Sequence, residues 1–331
     1  MNKIGLASVA VMALTAVASA DYRTDNFIDG GEARMMGTIT GAQLAAMRGQ
    51  SERNTSMYST NWTNDSNGAT FTAGNIAPAN ITPGQGGWAY YAASGAGTNP
   101  SNYKINAGSP AGRTGQKLQI TGPTTTTARY VYQDVSAQWA ARNAGDNICW
   151  VEYDAFMSSA SSTSGNRTGG YLYGQNAAAT AGGMMTGMLM EYGTSGTSTK
   201  QRSVFGLAYY TSGTTTGNYR FKLSEQALSG GGTSPLATSG GWTKFAMSFN
   251  QNNGEVNWFY SVDDGATYTG FYVNGSGTGM DVFEWDFYAT NAAGTTSANS
   301  IFGDFTVYAT PAPGAAALVG LAGLMARRRR A

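Results

Sequence analysis

The sequence predicts an all-β chain folded as a sandwich of short strands. Three observations carry this. Glycine occurs 46 times in 331 residues and, with Thr, Ser and Asn, collects in clusters that mark turns. Between the clusters, short runs alternate apolar and polar side chains, the period of a half-buried strand, and no long 3.6-residue pattern interrupts them. Aromatic residues make up 12% of the chain, which is ample material for a core.

The runs follow in order. Gly86–Tyr91 reads as a strand behind a tight glycine turn. Gln116–Thr121 puts Leu118 and Ile120 on one face, and Arg129–Val135 alternates in the same way. The longest run, Ile148–Met157, places Cys149, Val151, Tyr153, Ala155 and Met157 on one parity. Further strands are expected at Met184–Tyr192, Ser203–Tyr210, Tyr219–Ser224, Lys244–Asn250, Val256–Val262, Tyr268–Val273, Val282–Ala289 and Ile301–Tyr308. Ahead of them, residues 21–68 read as an irregular segment with one short helix over Thr40–Arg48, capped by Thr40. The expected organisation is a signal peptide over 1–20, the irregular segment over 21–68, a sandwich domain over 69–309 and a C-terminal tail over 310–331.

Both ends carry trafficking patterns. Lys3 is followed by an apolar stretch from Ile4 to Val17 and by Ala18-Ser19-Ala20, a small-residue site of the kind signal peptidase cuts. Cleavage after Ala20 would leave Asp21 as the new N-terminus and commit the chain to the export machinery. At the other end Pro311-Ala312-Pro313-Gly314 breaks the last strand. Twelve small or apolar residues, Ala315–Ala326, precede Arg327, Arg328, Arg329 and Arg330. A spanning helix needs ~20 apolar residues, so this stretch would halt in a membrane without anchoring firmly. The arginines would remain on the cytoplasmic side. This tail resembles the PEP-CTERM sorting signal of Gram-negative envelope proteins, with Pro-Ala-Pro in place of Pro-Glu-Pro. The resemblance implies an exosortase-type membrane protease as processing partner and a host that makes extracellular polysaccharide. The expected route is a transient inner-membrane stop followed by release to the outer membrane, cell surface or extracellular matrix.

Composition excludes several chemistries. The chain has no histidine, which removes Ser-His-Asp and Cys-His catalysis, His-ligated zinc and imidazole-based pH sensing near neutrality. The single Cys149 can form no intramolecular disulfide, and its apolar neighbours mark it as a buried small hydrophobe. Without Lys3 and the four terminal arginines, 15 basic residues face 19 acidic ones, so nucleic acid is not an expected partner.

Among sandwich types, the layout resembles the concanavalin A-like lectin and glucanase jelly rolls. The features that carry this are Gly86-Gly87-Trp88, the long central strand, the hairpin from Gly241 to Tyr260, and a last strand, Phe302–Tyr308, running into the tail. Retaining glucanases of that class use a Glu-x-Asp-x-x-Glu strand motif. Glu152-Tyr153-Asp154 and Glu284-Trp285-Asp286 each put two acids on one strand face, but neither is followed by the second glutamate. Both pairs are therefore expected to be acids on solvent-facing strands, and no catalytic residue is assigned. Ser261–Tyr268 resembles an Asp-box hairpin, in which Asp263 would bind turn amides, Gly265 would take a positive φ and Tyr268 would pack beneath. Asp263 and Asp264, with Asp25 and Asp29, are the candidate calcium ligands. Trp62, Trp88, Trp139, Trp242, Trp258 and Trp285 are the candidate sugar-stacking residues, most of them expected in the core. The expected function is a non-enzymatic, envelope-sorted sandwich with a structural or carbohydrate-associating role. The alternatives are a secreted polysaccharide-acting glycoside hydrolase and a protein-binding adhesion module.

Overall fold

The computed structural model describes residues 34–48, 55–92, 97–108, 112–123, 127–157, 166–176, 182–194, 200–212, 215–227, 241–273, 278–290 and 299–311. The signal peptide with Ala18 and Ala20, the calcium candidates Asp25 and Asp29, and the tail residues Pro313, Gly314 and Arg327 to Arg330 lie outside these residues. Pro311 is the last described position.

Among the described residues seventeen strands form two antiparallel sheets. The ten-stranded sheet contains β1 (Arg34–Thr40), β15 (Thr267–Val273), β14 (Val256–Ser261), β13 (Thr243–Asn250), β8 (Ile148–Met157), β17 (Asn299–Thr310), β6 (Lys117–Thr121), β5 (Tyr103–Asn106) and β3 (Gly74–Asn75) in that order, with β2 (Thr55–Thr60) also pairing to β17. The seven-stranded sheet runs β12 (Thr215–Ala227), β11 (Lys200–Ser212), β10 (Gly182–Thr194), β9 (Asn166–Asn176), β16 (Met280–Thr290), β7 (Ala128–Asp134) and β4 (Ala89–Ala92). The chain passes between sheets at β3–β4, β4–β5, β6–β7, β7–β8 and β8–β9, and again at β12–β13, β15–β16 and β16–β17. Late strands thereby insert beside early ones: β16 between β7 and β9, and β17 against β8. This nested crossing is a jelly roll, as expected.

The core lies between the sheets and is dominated by large aromatics. Trp62, Trp88, Trp285, Phe287 and Phe305 pack with ring centroids 5.1–5.8 Å apart, and Tyr153 stands 5.2 Å from Trp285. All of the strand parity expected for β8 holds: Cys149, Val151, Tyr153, Ala155 and Met157 point inward. Cys149 is fully buried, and burial pushes its thiol far above the ordinary range.

The segment over 21–68 is not irregular throughout, and the sandwich begins before residue 69. β1 pairs with β15, and β2 pairs with β17. Tyr58 and Trp62 enter the main core, where the Trp88 indole donates to Tyr58 Oη at 2.8 Å and Tyr58 Oη donates to Asp65 Oδ2 at 3.0 Å. The short helix stands where expected, as α1 (Gly41–Met47). Thr40 Oγ1 accepts from Gln43 N–H, and Gln43 Oε1 accepts from Thr40 N–H at 2.8 Å, which completes a capping box. The helix seats Leu44 on Ile148, Trp150, Ala246, Phe259 and Tyr268, covering part of the outer face of the ten-stranded sheet. Thr40→Ala should lower stability by about 1 kcal/mol, read as a shift in the urea midpoint at constant slope.

Candidate functional site

The outer face of the ten-stranded sheet carries an open polar groove beside α1. Its origin is a break in β17. Asn299–Phe302 pairs with β6, whereas Phe305–Ala309 pairs with β2, and the register against β8 shifts between Phe302 and Phe305. Gly303 occupies the break, where a Cβ would lie 2.8 Å from Asp154 Cβ, and its carbonyl accepts from the Trp62 indole at 2.5 Å. Asp304 is turned out to solvent. A cleft of about 590 Å³ opens on one side, lined by Asn61, Thr63, Lys117, Asp154, Lys244 and the loop around Arg113. A second of about 350 Å³ opens on the other, lined by Ser59, Asn64, Asp65, Ser66 and Thr306. Asn61 and Asp304 line both, so the two clefts adjoin at these residues.

Charges inside the groove are arranged as a closed network. The Arg113 guanidinium donates to Asp154 Oδ2 and to Asp264 Oδ1, and lies 4.5 Å over the Trp242 ring. Lys244 Nζ donates to both Asp154 oxygens at 3.1 and 3.2 Å and stands 3.5 Å from Asp264. Lys117 is buried; its ammonium donates to the Thr114 and Gln116 carbonyls at 3.0 and 3.1 Å. Burial lowers its pKa, an effect that Asp304 opposes. Further along β8, Glu152 is bound at 2.7 Å by Arg48 from the end of α1, and Arg48 also donates to Tyr308 Oη at 3.1 Å.

The acid pairs therefore face outward at i and i+2, with Tyr153 and Trp285 inward between them. Their environments differ from the solvated faces expected. Glu152 and Asp154 are ion-paired. Asp286 is fully buried and Glu284 half-buried on the outer face of the seven-stranded sheet. Burial raises the Glu284 pKa to about 7, with hydrogen bonding to Asp286 and the charge of Asp134 as smaller influences. Asp286 is raised further, by burial and then by Glu284.

The Asp-box hairpin is a structural turn. Asp263 accepts from Ser261 Oγ at 2.7 Å, Thr267 N at 3.0 Å and Thr267 Oγ1 at 2.5 Å; these bonds hold its carboxyl at about 2. Gly265 has φ +90°, and Tyr268 packs under α1. Asp264 is held by Arg113 and Lys244, so cations stand where a calcium ion would need ligands. Among the described residues no three acids converge as metal ligands. The six candidate tryptophans, with Trp150, are all buried and form no stacking platform. Sequence reading missed Asn61, Arg113, Lys117 and Asp304. Gly303 inside an otherwise regular strand was the available signal for a bulge.

Fold and groove together define a jelly-roll sandwich with a polar surface path. No family model and no curated protein matches the sequence. Similar solved structures include a PL-14 alginate lyase from Aplysia kurodai, at 11% identity over 64% of this chain and 88% of that one, with a TM-score of 0.42. The CBM2 module of the Lactobacillus casei BL23 phage J-1 evolved Dit is similar at 7% identity, with 85% and 98% coverage and a TM-score of 0.35. Arcelin-5, a lectin-like defense protein from Phaseolus vulgaris, is similar at 7%, with 64% and 92% coverage and a TM-score of 0.32. Likenesses of this size transfer no activity.

Proposed function

We propose that this chain is an exported, envelope-sorted sandwich that associates with extracellular polysaccharide through the groove and performs no chemistry on it. The observation that supports binding most directly is the adjacency of the two clefts at Asn61 and Asp304. An extended path lined by amide, hydroxyl, ammonium and carboxylate groups on rigid strands offers paired donors and acceptors to successive sugar hydroxyls. A passive role fits the acids. Glu152 and Asp154 are tied to cations, and burial keeps Glu284 and Asp286 from ionising readily, so neither pair offers a free carboxylate nucleophile beside a proton donor. The sorting tail supplies the delivery: signal peptidase cleavage, a membrane stop, exosortase-type cutting near Pro311–Gly314, then display.

The test is calorimetric titration with the host's extracellular polysaccharide, comparing wild type with Asn61→Ala and Asp304→Ala. Each variant should weaken binding about 5- to 20-fold, the effect of losing one or two hydrogen bonds. Undiminished binding by both variants, or no binding by wild type, would refute the groove as a glycan site. Intact mass of the native protein checks delivery: a species running from Asp21 to the Pro311–Gly314 region, outside the inner membrane, is expected.

A further inference from the structure

A second constellation lies across the sandwich from the groove, on the outer face of the seven-stranded sheet. Three neighbouring strands present a grid. Asp286 of β16 stands opposite Tyr132 of β7 and Tyr171 of β9. Glu284 stands opposite Asp134 and Tyr173, and Tyr288 opposite Tyr130. The tyrosines touch: the Tyr288 ring is 5.4 Å from Tyr130 and 5.3 Å from Tyr171. Exposure is graded. Asp134 is exposed, Tyr132 and Glu284 are half-buried, and Asp286, Tyr130 and Tyr173 are buried, which leaves the Asp134 end as the mouth.

The grid is short of partners. Asp286 Oδ1, Tyr130 Oη and Tyr173 Oη are buried without a hydrogen-bond partner, an arrangement that costs ~1–3 kcal/mol per group unless a ligand or water meets it. Tyr173 lies close enough to Asp286 to temper its rise in pKa without reaching hydrogen-bond geometry. No cation is paired with either acid among the described residues. Arg167 and Arg220 on the same face are bound to Glu191 at 2.6 and 2.9 Å. Asp134 spends one oxygen on Ser136.

We propose that this grid is a recognition site for a primary ammonium group carried on a sugar ring, the chemistry of a hexosamine polymer with free amines. The ammonium supplies the missing cation to the carboxyl pair. Tyr132, half-buried opposite Asp286, offers an aromatic face that favours a cation and a pyranose ring alike. Ring hydroxyls offer partners to the unsatisfied tyrosine hydroxyls. A neutral, N-acetylated sugar meets the hydroxyls but leaves the acids uncompensated. Capture of the ammonium drives the proton that burial keeps on Glu284 into solvent, because a nearby positive charge favours the ionised carboxyl. The site is separate from the groove, and its failure leaves the groove reading untouched.

The experiment is calorimetry on the purified full chain at about pH 6, where the amine is protonated and Glu284 largely so. The probes are a glucosamine tetrasaccharide with free amines and its fully N-acetylated counterpart. Wild type should bind the free-amine form at least about tenfold more tightly. Titrations in buffers of different ionisation enthalpy should show protons released on binding. Glu284→Gln, which keeps the side-chain shape, and Asp286→Asn should each bring the free-amine affinity down to that of the acetylated form, and Glu284→Gln should release fewer protons. Equal binding of the two sugars overturns the proposal. So does amine binding that survives both substitutions, or that is lost in Asp304→Ala while Glu284→Gln retains it.

Discussion

Gly170→Ala is expected to destabilise the fold by about 3 kcal/mol although it adds a single methyl group. A Cβ at residue 170 would stand 2.1 Å from Trp285 Cζ2, 2.7 Å from Cη2 and 3.0 Å from the Asp286 carbonyl. Trp285 cannot retreat. It is fully buried, with Tyr153, Phe287 and Phe305 within 5.2–5.7 Å of its ring. Trp285→Ala alone should cost about 3–5 kcal/mol through lost burial and the cavity it leaves. The two changes share one volume, so they should not add. In the double variant the new methyl enters space that the indole vacated, and the loss should fall short of the sum by about 1 kcal/mol or more. Urea midpoints of the four proteins, at constant slope, measure the cycle. A strictly additive result would mean that Gly170 is not reserved for the indole.

The same contact explains what was hard to read in the sequence. Alternation revealed β8, β13 and β17 because their inward residues are large and apolar. It did not reveal β9, whose sequence Asn-Arg-Thr-Gly-Gly-Tyr-Leu-Tyr-Gly-Gln-Asn looks like loop. Its glycines are packing residues: Gly169 would meet the Met188 carbonyl at 2.2 Å, and Gly170 meets Trp285. Glycine reads as a breaker in isolation, and its partner lies over a hundred residues away. β1 and β2 were hidden for a similar reason. Each is stabilised by pairing to a strand near the other end of the chain.

The site followed the same division. Strand parity placed Glu152 with Asp154, and Glu284 with Asp286, on outward faces. Parity is silent on partners. Arg48 comes from the end of α1, Arg113 from a loop and Lys244 from β13, and only the fold delivers them to one pair of acids, while the other pair meets no cation among the described residues. Tryptophan count was equally silent on role, since every stacking candidate turned inward.

Glu284→Gln is expected to reduce the pH dependence of stability between about pH 4.5 and pH 7, and this identifies a near-neutral titration in a chain without histidine. A glutamate in the unfolded chain titrates at about 4.5, and in the native protein burial moves Glu284 to about 7. Between those values the native state holds a proton that the unfolded state has lost. Stability is therefore greatest below the unfolded value and declines as pH rises through the folded one, by roughly 3 kcal/mol at most. Around Glu284 stand Asp134 and Tyr132 on β7, Tyr173 on β9 and Asp286 on its own strand, and none supplies positive charge. Asp286, raised by burial and then by Glu284, and Glu152, raised by burial against the pull of Arg48, add declines of the same sign. Glu191 works the other way: burial opposes ionisation, but Arg167 and Arg220 prevail and hold it low, so its contribution is lost only in acid. Urea midpoints at about pH 5 and pH 8 should differ clearly in wild type and less in Glu284→Gln, with the variant the more stable protein at the higher pH. Parallel declines in both proteins would assign the titration to another group. The outcome also bears on function, because a carboxyl pair that is costly to ionise in the free protein is one that a bound cation stabilises most.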